Sequence, residues 1–249
     1  MITAYHRPKT LNEALTLLTQ KDTVPLGGGT LLSKPMTDSV QAVDLQLLGL
    51  NSITKSGNNL ELGATLTMQA LLESEHCPDA LKIALKLEAP LNIRNTATVA
   101  GTLVSSDGRS TFACVLQALD AKIEQAVLDG SKIEYRTSNI GDFLPLRPTE
   151  LITRIILPLN VKLSFEYAAR TPSDKPIVCA ALAQWNSGRT RLALGGYGKS
   201  PMLAMDGTSS DDLVTSARNA FHEAADEYGS AEYRMDVAST LAKRCLEQL

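Results

Sequence analysis

The sequence predicts an α+β fold in two parts: a helix-and-strand unit reaching about residue 160, then a smaller unit of antiparallel strands followed by helices. Three observations predict it. Apolar runs of strand length alternate with helix-period segments through the first part. Two turn signals, Gly57-Asn58-Asn59 and Asp129-Gly130, join strands into hairpins. Beyond residue 160 a run of strands gives way to helical stretches around 210 to 226 and 232 to 247.

Taken in order, "TAYHR" reads as a first strand and "TLNEALTLLTQ" as a helix. Thr10 and Glu13 have capping-box spacing, and Leu11, Ala14, Leu15 and Leu18 share one face. "TVPL" is a short strand that runs straight into three glycines. "QAVDLQ", "ITKS" and "NLELGA" follow as strands, with helices over Thr67 to Ser74 and Asp79 to Leu87. "IRNTATVAGTLVSSDGRST" has no clean period and leads to an apolar helix, "FACVLQALD". "AKIEQAVLDGSKIEYRT" is a hairpin, and "ELITRIILP" closes the first unit. In the second, "LSFEYAAR" and "PIVCAALAQWNSGRTRLALGG" read as antiparallel strands turning at Asn186-Ser187-Gly188, and "DGTSSDD" as a surface loop whose Ser209, Ser210 or Asp residues cap the first helix.

Composition narrows the function. The 249 residues are 44% hydrophobic and 20% charged, with a net charge of -3, which fits a globular protein able to bury a sizeable core. No basic run or basic-aromatic cluster supports a nucleic-acid surface. No apolar run approaches a membrane span, and Met1 opens into a polar segment, so a cytoplasmic location is expected. Cys77, Cys114, Cys179 and Cys245 are too dispersed for a zinc or iron-sulfur framework and read as buried thiols. His6, His76 and His222 are equally scattered, and Asp142, Glu150 and Glu166 occur singly, so no metal site, triad or acid-base pair stands out.

Two phosphate-binding patterns fail on inspection. Gly27 and Gly29 begin a dinucleotide fingerprint whose third glycine is missing, because position 32 is Leu32. "ALGGYGKS" ends like a P-loop, but Ala193 occupies the first glycine position and Pro201 follows where a long helix is required. What remains is "PLGGGTLLS", a bare main-chain segment at a strand's exit, able to aim consecutive N–H groups at an anion or simply to turn. A second small-residue segment, "TATVAGT", reads as hydroxyls flanking a tight Ala-Gly turn. The two together can hold one extended dinucleotide.

At these residues the sequence resembles the FAD-binding medium subunit family of molybdenum hydroxylases, of the xanthine dehydrogenase and aerobic carbon monoxide dehydrogenase type. "YHRPKTLNEALTLL" with "PLGGGTLL" is similar to the family's opening strand, helix and first FAD loop, A-G-G-T-[DN]-L. "IRNTATVAGTLVSS" resembles its second loop, I-R-N-x-A-T-I-G-G-N. "LRPTELITRIILP", "FEYAARTPSDKPIVCAAL", "RLALGG" and "AEYR" match later landmarks in the same order, across nearly the whole chain.

The resemblance implies a two-lobed FAD-binding domain over 1–160, of the PCMH or vanillyl-alcohol-oxidase-like type, and a C-terminal sheet-and-helix domain over 161–249 of the carbon monoxide dehydrogenase flavoprotein type. It places FAD between them, its diphosphate on Leu26, Gly27, Gly28, Gly29, Thr30, Leu31 and Leu32 and on Thr98, Ala100, Gly101 and Thr102, with Ile152 beside the flavin ring. It implies no catalytic side chain. Electrons reach FAD from an iron-sulfur small subunit, which receives them from a molybdopterin-binding large subunit.

Several positions depart from the family pattern. Ala100 replaces a glycine, Thr102 an Asn or Asp, and Thr111 an Asp that binds the cofactor. Glu166 stands where xanthine dehydrogenases have Lys, and Lys175 where some members have an aromatic residue. These changes leave a flavin-free structural subunit of the same kind of assembly as the alternative.

Overall fold

The computed structural model describes residues 1–35, 37–172 and 174–249. The chain begins with β1 (Ile2–His6), α1 (Leu11–Leu18), β2 (Thr23–Leu26) and β3 (Val40–Asp44). These three strands form a parallel sheet in the order β1-β3-β2, so their carboxyl ends emerge at one edge. The Thr10 hydroxyl caps α1 by accepting from the Glu13 amide at 3.2 Å, while Glu13 reaches back to the Lys9 amide at 2.9 Å. Such a cap contributes about 1 kcal/mol.

A second lobe follows: β4 (Ile53–Ser56), β5 (Asn59–Gly63), α2 (Met68–Glu73), α3 (Asp79–Glu88), α4 (Leu91–Arg94), α5 (Val99–Val104) and α6 (Thr111–Ala118). It continues through β6 (Lys122–Asp129), β7 (Lys132–Asn139), α7 (Ile140–Leu146) and β8 (Leu151–Pro158). Its antiparallel sheet has the order β4-β5-β8-β6-β7, with the expected hairpins at Gly57 and Gly130. The segment without a clean period holds two short helices, α4 and α5. Ala100-Gly101 lies in the first turn of α5 rather than in a tight turn.

The remainder is a four-stranded antiparallel sheet, β12-β11-β10-β9, backed by two helices. Its elements are β9 (Val161–Ala168), β10 (Val178–Trp185), β11 (Thr190–Gly195), β12 (Met202–Gly207), α8 (Leu213–Ala220) and α9 (Ala231–Glu247). The expected caps at Ser209 or Ser210 are not used. Asp212 holds the N-cap position of α8 and makes no side-chain cap bond.

One helix joins the two sheets. All of α6 is buried, as a helix apolar on every side must be. β10 is covered on both faces over Val178 to Ala183, which explains why "VCAALA" is apolar without alternation. Cys179, Ala181 and Ala183 belong to the core around α6, whereas Val178, Ala180 and Leu182 pack with α8 and α9. The small alanines let α6 approach closely. Arginines then tie the parts together through carbonyl oxygens. Arg109 donates to the Lys175 carbonyl at 2.7 Å, and Arg191 to that of Gln117 at 3.0 Å. All four cysteines are free and buried. Burial pushes the Cys77 and Cys245 thiols up to about 12. Among the described residues no helix is long and apolar enough to cross a membrane.

Candidate functional site

The site forms where the parallel sheet ends. β2 pairs with β3 so that Leu26 faces Asp44, and the Leu26 carbonyl accepts from the Leu45 amide at 3.0 Å. The chain then leaves the sheet through Gly27, Gly28, Gly29 and Thr30, all half-buried. A turn closed by the Ser33 amide on the Gly29 carbonyl at 2.9 Å holds this segment. Among the described residues, the amides of Gly27, Gly28, Gly29 and Thr30 have no hydrogen-bond acceptor. Leu31 beyond them is exposed and Leu32 half-buried.

The second segment lies directly against the first. A Cβ built on Gly28 would sit 1.7 Å from the Thr96 carbonyl oxygen, and one on Gly27 would sit 2.8 Å from Thr98 Oγ1. The glycines therefore allow one main chain to rest on another, and any side chain at Gly28 would force them apart. Thr98 is buried and caps α5, its hydroxyl accepting from the Gly101 amide at 3.2 Å.

The second segment differs from the first in what it offers. The Val99 amide donates to Leu66, that of Ala100 to Ala64 and that of Thr102 to Thr98, so these main-chain donors are consumed within the protein. It contributes a surface and hydroxyls. Among the described residues, the Thr30 and Thr102 side chains have no hydrogen-bond partner.

Of the remaining residues singled out in the sequence, Thr111 and Ile152 lie inside, and Glu166 and Lys175 are half-buried. Thr111 is fully buried, its hydroxyl donating to the Ala84 carbonyl at 2.7 Å and lying 3.2 Å from Glu88 Oε2. The same Glu88 oxygen accepts from the Phe112 amide, so a carboxylate reaches the start of α6 from the end of α3. Ile152 is 4% exposed, pairs with Gln125 across β8 and β6, and joins the core that contains Val99 and Leu103. Glu166 bonds to Gln248 at 2.5 Å, and Lys175 lies 3.4 Å from Glu88.

One group beside the loop escaped the sequence reading. Asp44 is 2% exposed at the end of β3 and accepts from the Gln46 amide at 2.9 Å and from the Tyr5 hydroxyl. Arg7 Nε lies 3.5 Å from the same carboxylate. The hydrogen bond to Asp44 raises the Tyr5 phenol above its ordinary range. The available signal was a lone carboxylate at the end of a short strand, directly after Ala42 and Val43.

The donor set fits an extended dinucleotide: a row of partnerless amides suited to a diphosphate, pressed against a second segment that adds hydroxyls. Among the described residues no group of three or more His, Cys, Asp or Glu side chains could hold a metal ion.

Comparison with known proteins agrees. The family described as the FAD binding domain in molybdopterin dehydrogenase matches residues 1–160. The carbon monoxide dehydrogenase medium chain of Afipia carboxidovorans is 27% identical, covering 98% of this chain and 95% of that one. The glyceraldehyde dehydrogenase medium chain of Sulfolobus acidocaldarius is 26% identical, over 99% and 98% of the two chains. Reconstituted CO dehydrogenase from Oligotropha carboxidovorans contains a chain of the same fold, with a TM-score of 0.82 and 27% identity over 98% of this chain and 96% of that one.

Proposed function

Because the chain belongs to the family of FAD-binding domains of molybdopterin dehydrogenases, it is an FAD-binding medium subunit of an oxidoreductase, and we propose how its residues serve that role. The amides of Gly27, Gly28, Gly29 and Thr30 hold the FAD diphosphate, with the Thr30 and Thr102 hydroxyls adding donors. Leu26, Leu31, Leu32, Thr98, Ala100 and Gly101 shape the walls. Thr111 acts from within, by fixing α6, and Ile152 forms the apolar floor toward the flavin ring. The observation that carries this reading is the row of four partnerless amides packed on the second segment.

FAD, when bound, supplies the redox chemistry of its isoalloxazine. The chain's own part is binding, orientation and exclusion of water. No side chain of this subunit is assigned a covalent or proton-transfer role. Its relatives are medium chains, so it works with partner subunits. We assign these as an iron-sulfur small subunit and a molybdopterin-binding large subunit, which supply the electrons. The division falls at 1–160 for the flavin domain and 161–249 for the domain that braces it. Four reduced, buried thiols suit a cytoplasmic assembly.

Titrating the purified chain with FAD, followed by quenching of flavin fluorescence, tests the proposal. Saturable binding at one FAD per chain is the expected result. A sample with a cooperative melt that shows no saturation would overturn it.

A further inference from the structure

The cradle carries no charge of its own, since no Lys or Arg lies between Leu26 and Leu32 or between Thr96 and Thr102. A diphosphate carries two negative charges, and charge-assisted hydrogen bonds hold such groups more strongly than neutral amides do. A buried carboxylate, Asp44, stands at the same sheet edge and opposes an approaching phosphate.

Arg7 meets both needs. Asp44 is the neighbour it shares with the loop: Leu26 pairs with Asp44 from β2, and Arg7, which directly follows β1, reaches Asp44 from the other side at 3.5 Å. All three strands are parallel, so Arg7, Asp44 and Gly27 leave the sheet at one edge. The ends of β1 and β2 are two strand spacings apart, about 10 Å. An extended arginine and a diphosphate span that gap. Asp44 is fully engaged by Gln46, Tyr5 and Arg7. Arg7 is engaged only through Nε: among the described residues its two Nη groups have no partner, and its side chain is 52% exposed.

We propose that Arg7 is a binding residue for the diphosphate of FAD, anchored through Nε by Asp44 with its Nη fork directed to phosphate oxygens above the Gly27 to Thr30 amides. This rests on the FAD reading above. A guanidinium suits the task because its planar fork can hold carboxylate and phosphate at once.

The test is a double-mutant cycle on FAD affinity, with wild type, Arg7→Gln, Asp44→Asn and the double variant each checked for a cooperative melt. Arg7→Gln should weaken FAD about tenfold, and most of that loss should persist in the Asp44→Asn background, where the amide oxygen still accepts from Nε but no carboxylate is left to neutralise. ADP, which carries the diphosphate without the flavin, should lose a similar factor as a competitor. Unchanged affinity in Arg7→Gln overturns the inference. So does a loss that disappears beside Asp44→Asn, because Arg7 then serves only to neutralise that carboxylate. If Arg7→Gln does not fold, Arg7→Lys keeps the charge and removes the fork, and wild-type affinity there overturns the proposed fork contact. A wild type that never binds FAD fails the underlying reading instead, and shows it before any variant is made.

Discussion

Two glycine-rich segments follow strand ends in this chain, and they use bare backbone in opposite ways. Gly27-Gly28-Gly29 exits β2 with its amides unclaimed by the described residues. Gly195-Gly196-Tyr197-Gly198 ends β11, and its main chain is claimed by other parts of the protein. The Gly196 amide donates to Gly108 at 2.6 Å, its carbonyl accepts from the fully buried Arg234, and the Gly198 carbonyl accepts from the Gly108 amide at 2.9 Å. Arg147 then takes the Lys199 carbonyl at 2.8 Å. Both segments permit close main-chain approach. In the second, the approaching group is the protein itself, which seals the C-terminal sheet to the loop before α6. In the first, one side rests on Thr96, and the amides have no acceptor among the described residues. A glycine cluster thus reports that something must come near, and the fate of its N–H groups says what.

The largest effect is expected from filling the sealed segment. Gly196 has φ +122°, and a Cβ there would meet the Ile177 carbonyl oxygen at 2.0 Å. Gly196→Ala combines a conformation L residues avoid with a backbone collision, and should cost about 3 kcal/mol or more in a denaturant titration. A wild-type midpoint would break the contrast at its structural end. Next in size is Gly28→Ala. Its Cβ would collide with Thr96 at the half-exposed cradle, so the two segments must separate. FAD affinity should fall about a hundredfold by fluorescence titration, with a stability loss of about 2 kcal/mol, smaller than at Gly196 because Gly28 is half-buried and its φ is not positive. The loss comes from parting the two segments, a different cause from blocking the phosphate. Unchanged FAD affinity in a variant that still melts cooperatively would erase the distinction.

The first of these segments was legible as bare main chain at a strand's exit because its position, at the end of "TVPL", follows from a strand read in sequence. Helix α1 was legible from Thr10 and Glu13, and the hairpins from their turn residues. Other elements were hidden for local reasons. Helix α7 is seven residues long with Pro145 inside, and helix α5 is only six residues long, carries Gly101 and depends on the Thr98 cap. Strand β12 carries no alternation, and its place as an edge strand is set by β11. The site's geometry was hidden because it is made by distant partners. Gly28 meets Thr96, and Arg7 meets Asp44, across separations that no local pattern records. Likewise the P-loop-like ending of "ALGGYGKS" could be rejected from sequence, whereas its real use required Gly108 and Arg147 to be in place.

The smallest expected effect is the sharpest test of that last point. If "GKS" bound phosphate, Lys199 would be its charged contact. In this fold the residue's structural contribution is its carbonyl, held by Arg147, while the side chain is exposed and has no ion-pair partner among the described residues. Lys199→Ala keeps the carbonyl and removes only the solvated ammonium. It should therefore change stability by less than about 0.5 kcal/mol and leave FAD affinity at the wild-type value. Ser200 is similarly occupied, its hydroxyl 3.2 Å from the Leu144 carbonyl and 3.3 Å from Arg147. A clear fall in nucleotide binding on Lys199→Ala would place the anion site at the second glycine segment and reverse the assignment of the two.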